Sequence, residues 1–299
     1  MSQATETSAA MVDAAQVAAQ SRGYWKTVWL RLRGDKVTIA CFVVLALIVL
    51  SAVLADWLAP ADPYKTSMLK RLKPIGTEGF PLGTDELGRD MLSRLLHGGR
   101  LSLFMGIVPV VYALVIGGAL GLVAGFLGGR VNMLIMRTID VLYAFPSVLL
   151  AVAISGSLGA GVTNAIVSLT VVFVPPIARV TESVTTQVRS LDFVDAARAS
   201  GAGTFTIIRV HVLSNVLGPV FIYATSLISV SIILAAGLSF LGLGTEPPHP
   251  EWGLMLNTLR QSIYVSPWVA ALPGVMIFFT SLSFNLMSDG LRSAMDVRL

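Results

Sequence analysis

Cysteine is nearly missing from this chain, and its scarcity removes two kinds of chemistry at once. Only Cys41 occurs among 299 residues, so neither a disulfide framework nor a cysteine-based metal site can form within the chain. Histidine is scarce too: His97, His211 and His249 stand far apart, and only folding could gather them. Charge is the third deficit. Asp, Glu, Lys and Arg supply 13% of the residues, about half the usual share in soluble domains. No G-x-x-x-x-G-K-[ST] run occurs, so this chain is not expected to bind ATP. What fills the space is apolar. Hydrophobic residues make up 55% of the sequence, and the mean hydropathy is +0.77. That balance places the chain among integral membrane proteins, with the lipid bilayer as its first partner. The formal net charge of +4 fits anchoring charges beside a membrane and gives no reason to expect a nucleic-acid partner.

Residues Met1 to Ser21 lack a basic start followed by an apolar core, so they read as a short disordered tail rather than a signal peptide. In the next stretch Trp25, Val28, Trp29 and Leu32 recur at helical spacing, with Lys26, Arg31 and Arg33 off the stripe. This predicts a helix lying in the headgroup region. Six apolar runs then predict six transmembrane helices: Val37 to Leu58, Leu101 to Leu127, Asp140 to Ile154 interrupted by Pro146, Val162 to Val180, Leu217 to Leu243 and Val269 to Met287. Gly117, Gly121 and Gly125 repeat every four residues, which predicts close packing against a neighbouring span. Gly128, Gly129 and Arg130 read as a turn, and Pro175-Pro176 as a kink or a local unwinding. The organisation expected is a tail and interfacial helix over 1–36, a first span and outer loop over 37–100, and a five-helix core over 101–299. Thirteen of the 21 basic residues fall on the side of the N-terminus, which predicts cytoplasmic N- and C-termini. Seven of the eight on the other side sit in one loop.

Between the fourth and fifth spans lies a polar segment that interrupts the apolar pattern, Asp192 to Pro219: DFVDAARASGAGTFTIIRVHVLSNVLGP. Asp192 is placed to cap a helix, and Asp195 sits in its first turn, where a carboxylate favours the positive end of the helix dipole. Ala196, Ala197 and Ala199 leave a helix surface nearly free of side chain, suited to sliding into a groove. Gly201, after Ser200, fits a C-terminal cap, and Thr204 a second helix start. The residues alone leave two readings open: a docking element for another protein, or two amphipathic helices resting on the membrane. Elsewhere, Thr84 or Asp85 is placed to cap a helix, and Asp85–Arg89 and Asp90–Arg94 to form i,i+4 pairs. A calcium loop does not match the spacing of Asp85, Glu86 and Asp90. Arg137 and Asp140 are placed to pair, and Trp252, in the proline-rich run after Pro247, to anchor at the interface.

The run DAARASGAG, with RVHVLSNVLGP downstream, resembles the cytoplasmic coupling motif of bacterial ABC importer permeases. PLGTDELGRDMLSRLLHGGRLSL (Pro81 to Leu103), PPHPEWG and NLMSDGLRSAMDVRL resemble the dipeptide, oligopeptide and nickel branch, C-type subunit. The likeness covers about Gly34 to the C-terminus. It implies an all-α type I ABC importer permease fold in the bacterial inner membrane, and a coupling helix at 190–215 that inserts into a cleft of an ATPase subunit. Asp192, Asp195, Ala196, Ala197, Ser200 and Gly201 are the residues it implicates. Asp195 stands where that family usually carries glutamate, and Ser214 where proline is usual. It further implies a second, homologous permease subunit, two cytoplasmic ATPase subunits holding ATP and Mg, and an extracytoplasmic binding protein.

Two other functions predict features the sequence does not carry. An ion-coupled secondary transporter needs ionisable residues at mid-membrane, whereas Asp56, Arg179 and Glu182 lie toward span ends. A membrane-embedded enzyme needs a nucleophile with its base. Ser155, Ser168 and Ser229 have no His or Asp beside them within a span, and such serines usually bond their own backbone.

Overall fold

In the computed structural model, residues 24–295 are described, with side chains from residue 28 onward. The tail over Met1 to Ser21, the side chains of Trp25 and Lys26, and Asp296 lie outside the described residues. Among the described residues there are helices and turns but no strand.

Helix α1 (Tyr24–Gly34) leads into α2 (Lys36–Val53), which starts where the Asp35 carboxylate accepts from the Val37 N–H at 3.0 Å. A single turn, α3 (Ala55–Leu58), completes this run. After a loop comes α4 (Met91–Leu127). Its N-cap is Asp90, accepting from the Ser93 N–H at 2.8 Å and the Ser93 hydroxyl at 2.6 Å. Then follow α5 (Gly129–Tyr143), α6 (Ser147–Leu158), α7 (Val162–Arg189) and α8 (Asp192–Ala199). The long α9 (Thr204–Phe240), the short α10 (Trp252–Leu259) and α11 (Pro267–Met295) complete the chain. Five helices (α2, α4, α7, α9, α11) are long and apolar enough to cross a membrane, and a bent pair brings the possible total to six.

Glycine sets the closest helix contact. A Cβ at Gly117 would lie 2.7 Å from the Val174 carbonyl oxygen on α7, and one at Gly125 would lie 2.7 Å from the Glu182 carbonyl oxygen. The four-residue repeat therefore packs α4 on α7, as the spacing predicts. At the far end the Arg189 guanidinium donates to the carbonyls of Gly125 and Phe126 at 3.2 and 2.9 Å, satisfying the end of α4.

Several local expectations are corrected. The run from Asp140, expected to be interrupted by Pro146, is two helices, α5 and α6, meeting at 87°, with the first of them starting earlier, at Gly129. Residue 145 precedes Pro146, whose ring disfavours the helical region there, and the run breaks at this point. The expected Gly128–Arg130 turn is tight, with positive φ at both Gly128 (67°) and Gly129 (53°), and α5 starts at Gly129. Helix α7 passes through Pro175 and Pro176 without unwinding. The second helical pattern after Gly203 is the start of α9 itself, and Gly218-Pro219 does not interrupt it. In α9 residues Ile207–Val212 are wound as a π-helix. Ser214 donates to the Val210 carbonyl at 3.1 Å and Asn215 to that of His211 at 2.6 Å, covering carbonyls the wider turn leaves over.

Candidate functional site

Helix α4, with 37 residues, spans roughly 55 Å at 1.5 Å per residue, so its two ends lie on opposite faces of the bundle. The sequence-singled segment lies at the Leu127 end. Leu191, not Asp192, is the N-cap of α8; its backbone is extended and no side chain caps the helix. Asp192 is therefore the first helical residue, where its charge still meets the exposed N–H groups of the first turn. Asp195 pairs with Arg198 at 2.9 Å on the exposed side, worth a few tenths of a kcal/mol in such a setting.

The end of α8 follows the sequence expectation. Gly201 has φ +79°, a region that side chains rarely adopt. Its N–H reaches the Arg198 carbonyl at 3.0 Å, while the Ala202 N–H reaches that of Ala197 at 3.1 Å. Those two bonds, with Ala197 and Ala202 both packed on the core, make a Schellman cap. The Ser200 hydroxyl donates to the Ala196 carbonyl at 2.9 Å.

One residue that composition did not single out fixes this helix. Val194 is fully buried, in the apolar cluster that contains Phe126, Val188, Ile207 and Val212. The Arg198 guanidinium also lies 5.8 Å from the Phe126 ring centre. Ala197 is half-buried against the same cluster, whereas Asp192, Asp195, Ala196, Ser200 and Gly201 are exposed. Leu191, Phe193, Phe205 and Val210 add exposed apolar surface around α8, Phe205 reaching 75% exposure. The only sequence signal for Val194 is that it is a β-branched apolar residue within a polar helix.

At the bend between α5 and α6 a cavity of about 300 Å³ opens, lined among others by Tyr143, Phe145, Ser147, Pro176 and Tyr223. Asp140 pairs with Arg179 of α7 rather than with Arg137, and the Arg179 guanidinium lies 5.2 Å from the Tyr143 ring centre. Spatial proximity across helices overrides the sequence spacing here.

The Met91 end carries a buried polar lock. Asp85 pairs with Arg89 at 2.6 Å, as expected, but Arg94 also turns to Asp85, at 3.3 Å, instead of pairing with Asp90. Arg94 donates to the carbonyls of Pro63 and Pro248 at 3.1 and 3.4 Å. Neither Thr84 nor Asp85 caps a helix; both are buried beneath the loop, and Asp90 does the capping. Trp252 is 1% exposed, so it is an internal wedge and not an interface anchor. Its indole donates to the Leu95 carbonyl at 3.0 Å and its ring sits where a Cβ at Gly99 would be, 3.1 Å away. Glu251 caps α10 through the N–H groups of Gly253 and Leu254, both at 2.8 Å. Burial pushes its carboxyl up, against the opposing pull of those donors and of the Ser239 and Ser102 hydroxyls.

Residues 117–299 match the family described as the binding-protein-dependent transport system inner membrane component. Residues 23–74 match the N-terminal TM domain of oligopeptide transport permease C. The di/tripeptide transport system permease protein DppC of Pseudomonas aeruginosa is 44% identical over 279 residues, covering 92% of each chain. The glutathione transport system permease protein GsiD of Pectobacterium atrosepticum is 40% identical over 275 residues, covering 92% of this chain and 91% of that one. Among solved structures, an inward-facing form of the MetNI methionine ABC transporter aligns with a TM-score of 0.57 and 20% identity. The alignment covers 68% of this chain and 97% of that one, a likeness of fold.

Proposed function

Because the chain belongs to the family of binding-protein-dependent transport system inner membrane components, and so is the inner-membrane permease of an ABC importer, we propose how this one is built and driven. It forms half of a pathway for di- or tripeptides or glutathione, the solutes named for its relatives. A second, homologous permease closes the other half. Six spans, counting the bent α5–α6 pair as one, leave both termini in the cytoplasm with α8, and put the Met91 end of α4 outside. ATP and Mg bind on two cytoplasmic ATPase subunits, and this chain does no chemistry of its own.

The observation that carries the reading is the mounting of α8. The helix is pinned by Val194 and its Schellman cap to the body, yet presents Asp192, Asp195, Ala196 and an apolar rim of Leu191, Phe193 and Phe205 outward. A helix held this way transmits force. Closure of the ATPases would draw α8 inward, and its buried anchor would pass that displacement to α4 and α9, biasing the pathway toward its outward-open arrangement. The small side chains of Ala196 and Ala199 admit a close partner. Ala197, turned half toward the core, instead completes the cap.

Asp195→Lys and Gly201→Val provide the test. Both are expected to lose substrate uptake, with reduced co-purification of the ATPase subunits. Wild-type assembly together with wild-type uptake in both variants would refute the coupling role.

A further inference from the structure

The loop before α4 carries more positive charge than its side of the membrane calls for. Seven basic residues lie between Lys65 and Arg100, where orientation by charge favours few. The fold uses three of them internally. Arg89 holds Asp85 and Glu86, Arg94 holds Asp85 and two loop carbonyls, and Arg100 holds Asp56 and the carbonyls of Ala52 and Val53 at the end of α2. The other four, Lys65, Lys70, Arg71 and Lys73, are exposed and form no ion pair among the described residues. Lys70 only stacks over Phe80, 4.8 Å from the ring centre. Among them, on a single 3₁₀ turn (Met68–Lys70), Met68 and Leu69 project with 63% and 94% exposure.

The backbone under this tip is held at several points. The buried Thr84 hydroxyl donates to the Lys70 carbonyl and accepts from the Lys73 N–H at 2.9 Å. The N–H groups of Ser67 and Leu72 reach the carbonyls of Leu87 and Asp85 at 3.0 and 3.1 Å. Gly88 lets the segment sit directly on it, since a Cβ there would lie 2.8 Å from the Ser67 carbonyl carbon. Leu72 adopts φ +51°, a region that a bulky side chain rarely adopts.

We propose that residues 64–75 are the part of this chain on which the extracytoplasmic binding protein docks, Met68 and Leu69 entering an apolar socket with an acidic rim. This rests on the topology and binding-protein dependence proposed above, and adds the contact and its chemistry. Four unpaired cations steer an acidic surface toward the tip, and the apolar pair supplies a desolvated centre. Anionic headgroups would feel the same charge, but attraction to a lipid surface requires no fixed shape. A backbone held in a strained conformation on a buried foundation suits a partner of fixed shape, since preorganisation lowers the ordering cost of binding.

The test uses the full transporter complex in nanodiscs of zwitterionic lipid and the system's own binding protein. Lys65, Lys70, Arg71 and Lys73 replaced together by Gln should slow association about tenfold and flatten its dependence on salt. Leu69→Ser should speed dissociation several-fold without changing that dependence. Leu69→Cys should react with a membrane-impermeant maleimide in intact spheroplasts, the native Cys41 being buried. Unchanged kinetics in both variants, with Leu69→Cys labelled from outside, overturns the docking surface and leaves the permease reading standing. Labelling only after permeabilisation overturns the topology and the docking surface together. An effect of the Gln substitutions confined to nanodiscs containing anionic lipid overturns it in favour of headgroups.

Discussion

Adding a single methyl group to the glycine face of α4 should measurably weaken this protein. A Cβ at Gly121 would collide with the Ala178 carbonyl oxygen and lie 2.7 Å from the Thr181 Cβ and 2.9 Å from the Glu182 N, whereas ordinary contact begins near 3.4 Å. All three neighbours of such a group belong to α7, whose backbone cannot rotate away as a long side chain could. The two helices must part by about 1 Å, and a radial gap of that size forfeits up to about half of each dispersion contact along the seam. Overpacking of this kind costs about 1–3 kcal/mol. Gly118, one helical step away, provides the internal control, because a Cβ there meets nothing within 4 Å. Alanine at 118 should be neutral or gain up to about 1 kcal/mol from helix propensity. The two variants should therefore separate by roughly 2 kcal/mol, or several degrees of melting temperature for a chain this size, read by thermal denaturation of the purified complex in one detergent. If Gly121→Ala and Gly118→Ala melt together, the seam is not close-packed and the reasoning from missing side chains fails.

Three further outcomes are expected. Arg94→Met should leave the Pro63 and Pro248 carbonyls without their donor while Asp85 keeps Arg89, and cost about 1–3 kcal/mol, seen as a lower melting temperature and faster proteolysis between residues 60 and 75. Val194→Asp should force a charge into the cluster around Phe126 and release α8. Substrate uptake should be lost while α2, α4 and α11 keep their protection in hydrogen exchange, and protection of α8 unchanged from wild type would refute its anchoring role. Glu251 gives a pH dependence. Burial raises its folded pKa above that of the unfolded chain, so the fold takes up a proton at this site. The stability so gained is complete below about pH 4.3, the unfolded value, and is lost as pH rises through the folded pKa. Glu251→Gln should flatten that fall in melting temperature, and an equal slope in both proteins counts against it.

The sequence was most legible where one physical preference acts alone. Long apolar runs became long apolar helices because no other structure satisfies a backbone in lipid, and the four-residue glycine spacing marked the α4–α7 seam. The cap at Gly201 was equally readable, since a left-handed residue after a short helix leaves few alternatives. Legibility failed where two environments ask for the same residue. Tryptophan suits a membrane interface and a protein interior alike, and only the empty space at Gly98 and Gly99 placed Trp252 inside. Charges at helical spacing were misleading because a counter-ion on another element lay nearer: Arg94 turned to the buried Asp85, and the half-exposed Asp140 to Arg179. Val194 was overlooked for the opposite reason: one apolar side chain in a polar helix makes no periodic signal, although it carries the attachment of the candidate site. The break at Pro146 was readable, but hydropathy measures composition and not direction, so the 87° angle of the bend leaves no trace in it.

The π-wound stretch Ile207–Val212 has a consequence for descent. Surface loops in a family drift in length because a residue gained or lost there moves nothing else. Here only the four residues 200–203 separate α8 from the membrane helix, and within that helix each residue sets the angle of all that precede it. Deleting one residue between Ile207 and Val212 would remove the wide turn, shift the register of the upstream segment and draw Val194 away from Phe126. Among relatives that keep the anchor, the number of residues from Val194 to Pro219 should vary far less than their identities.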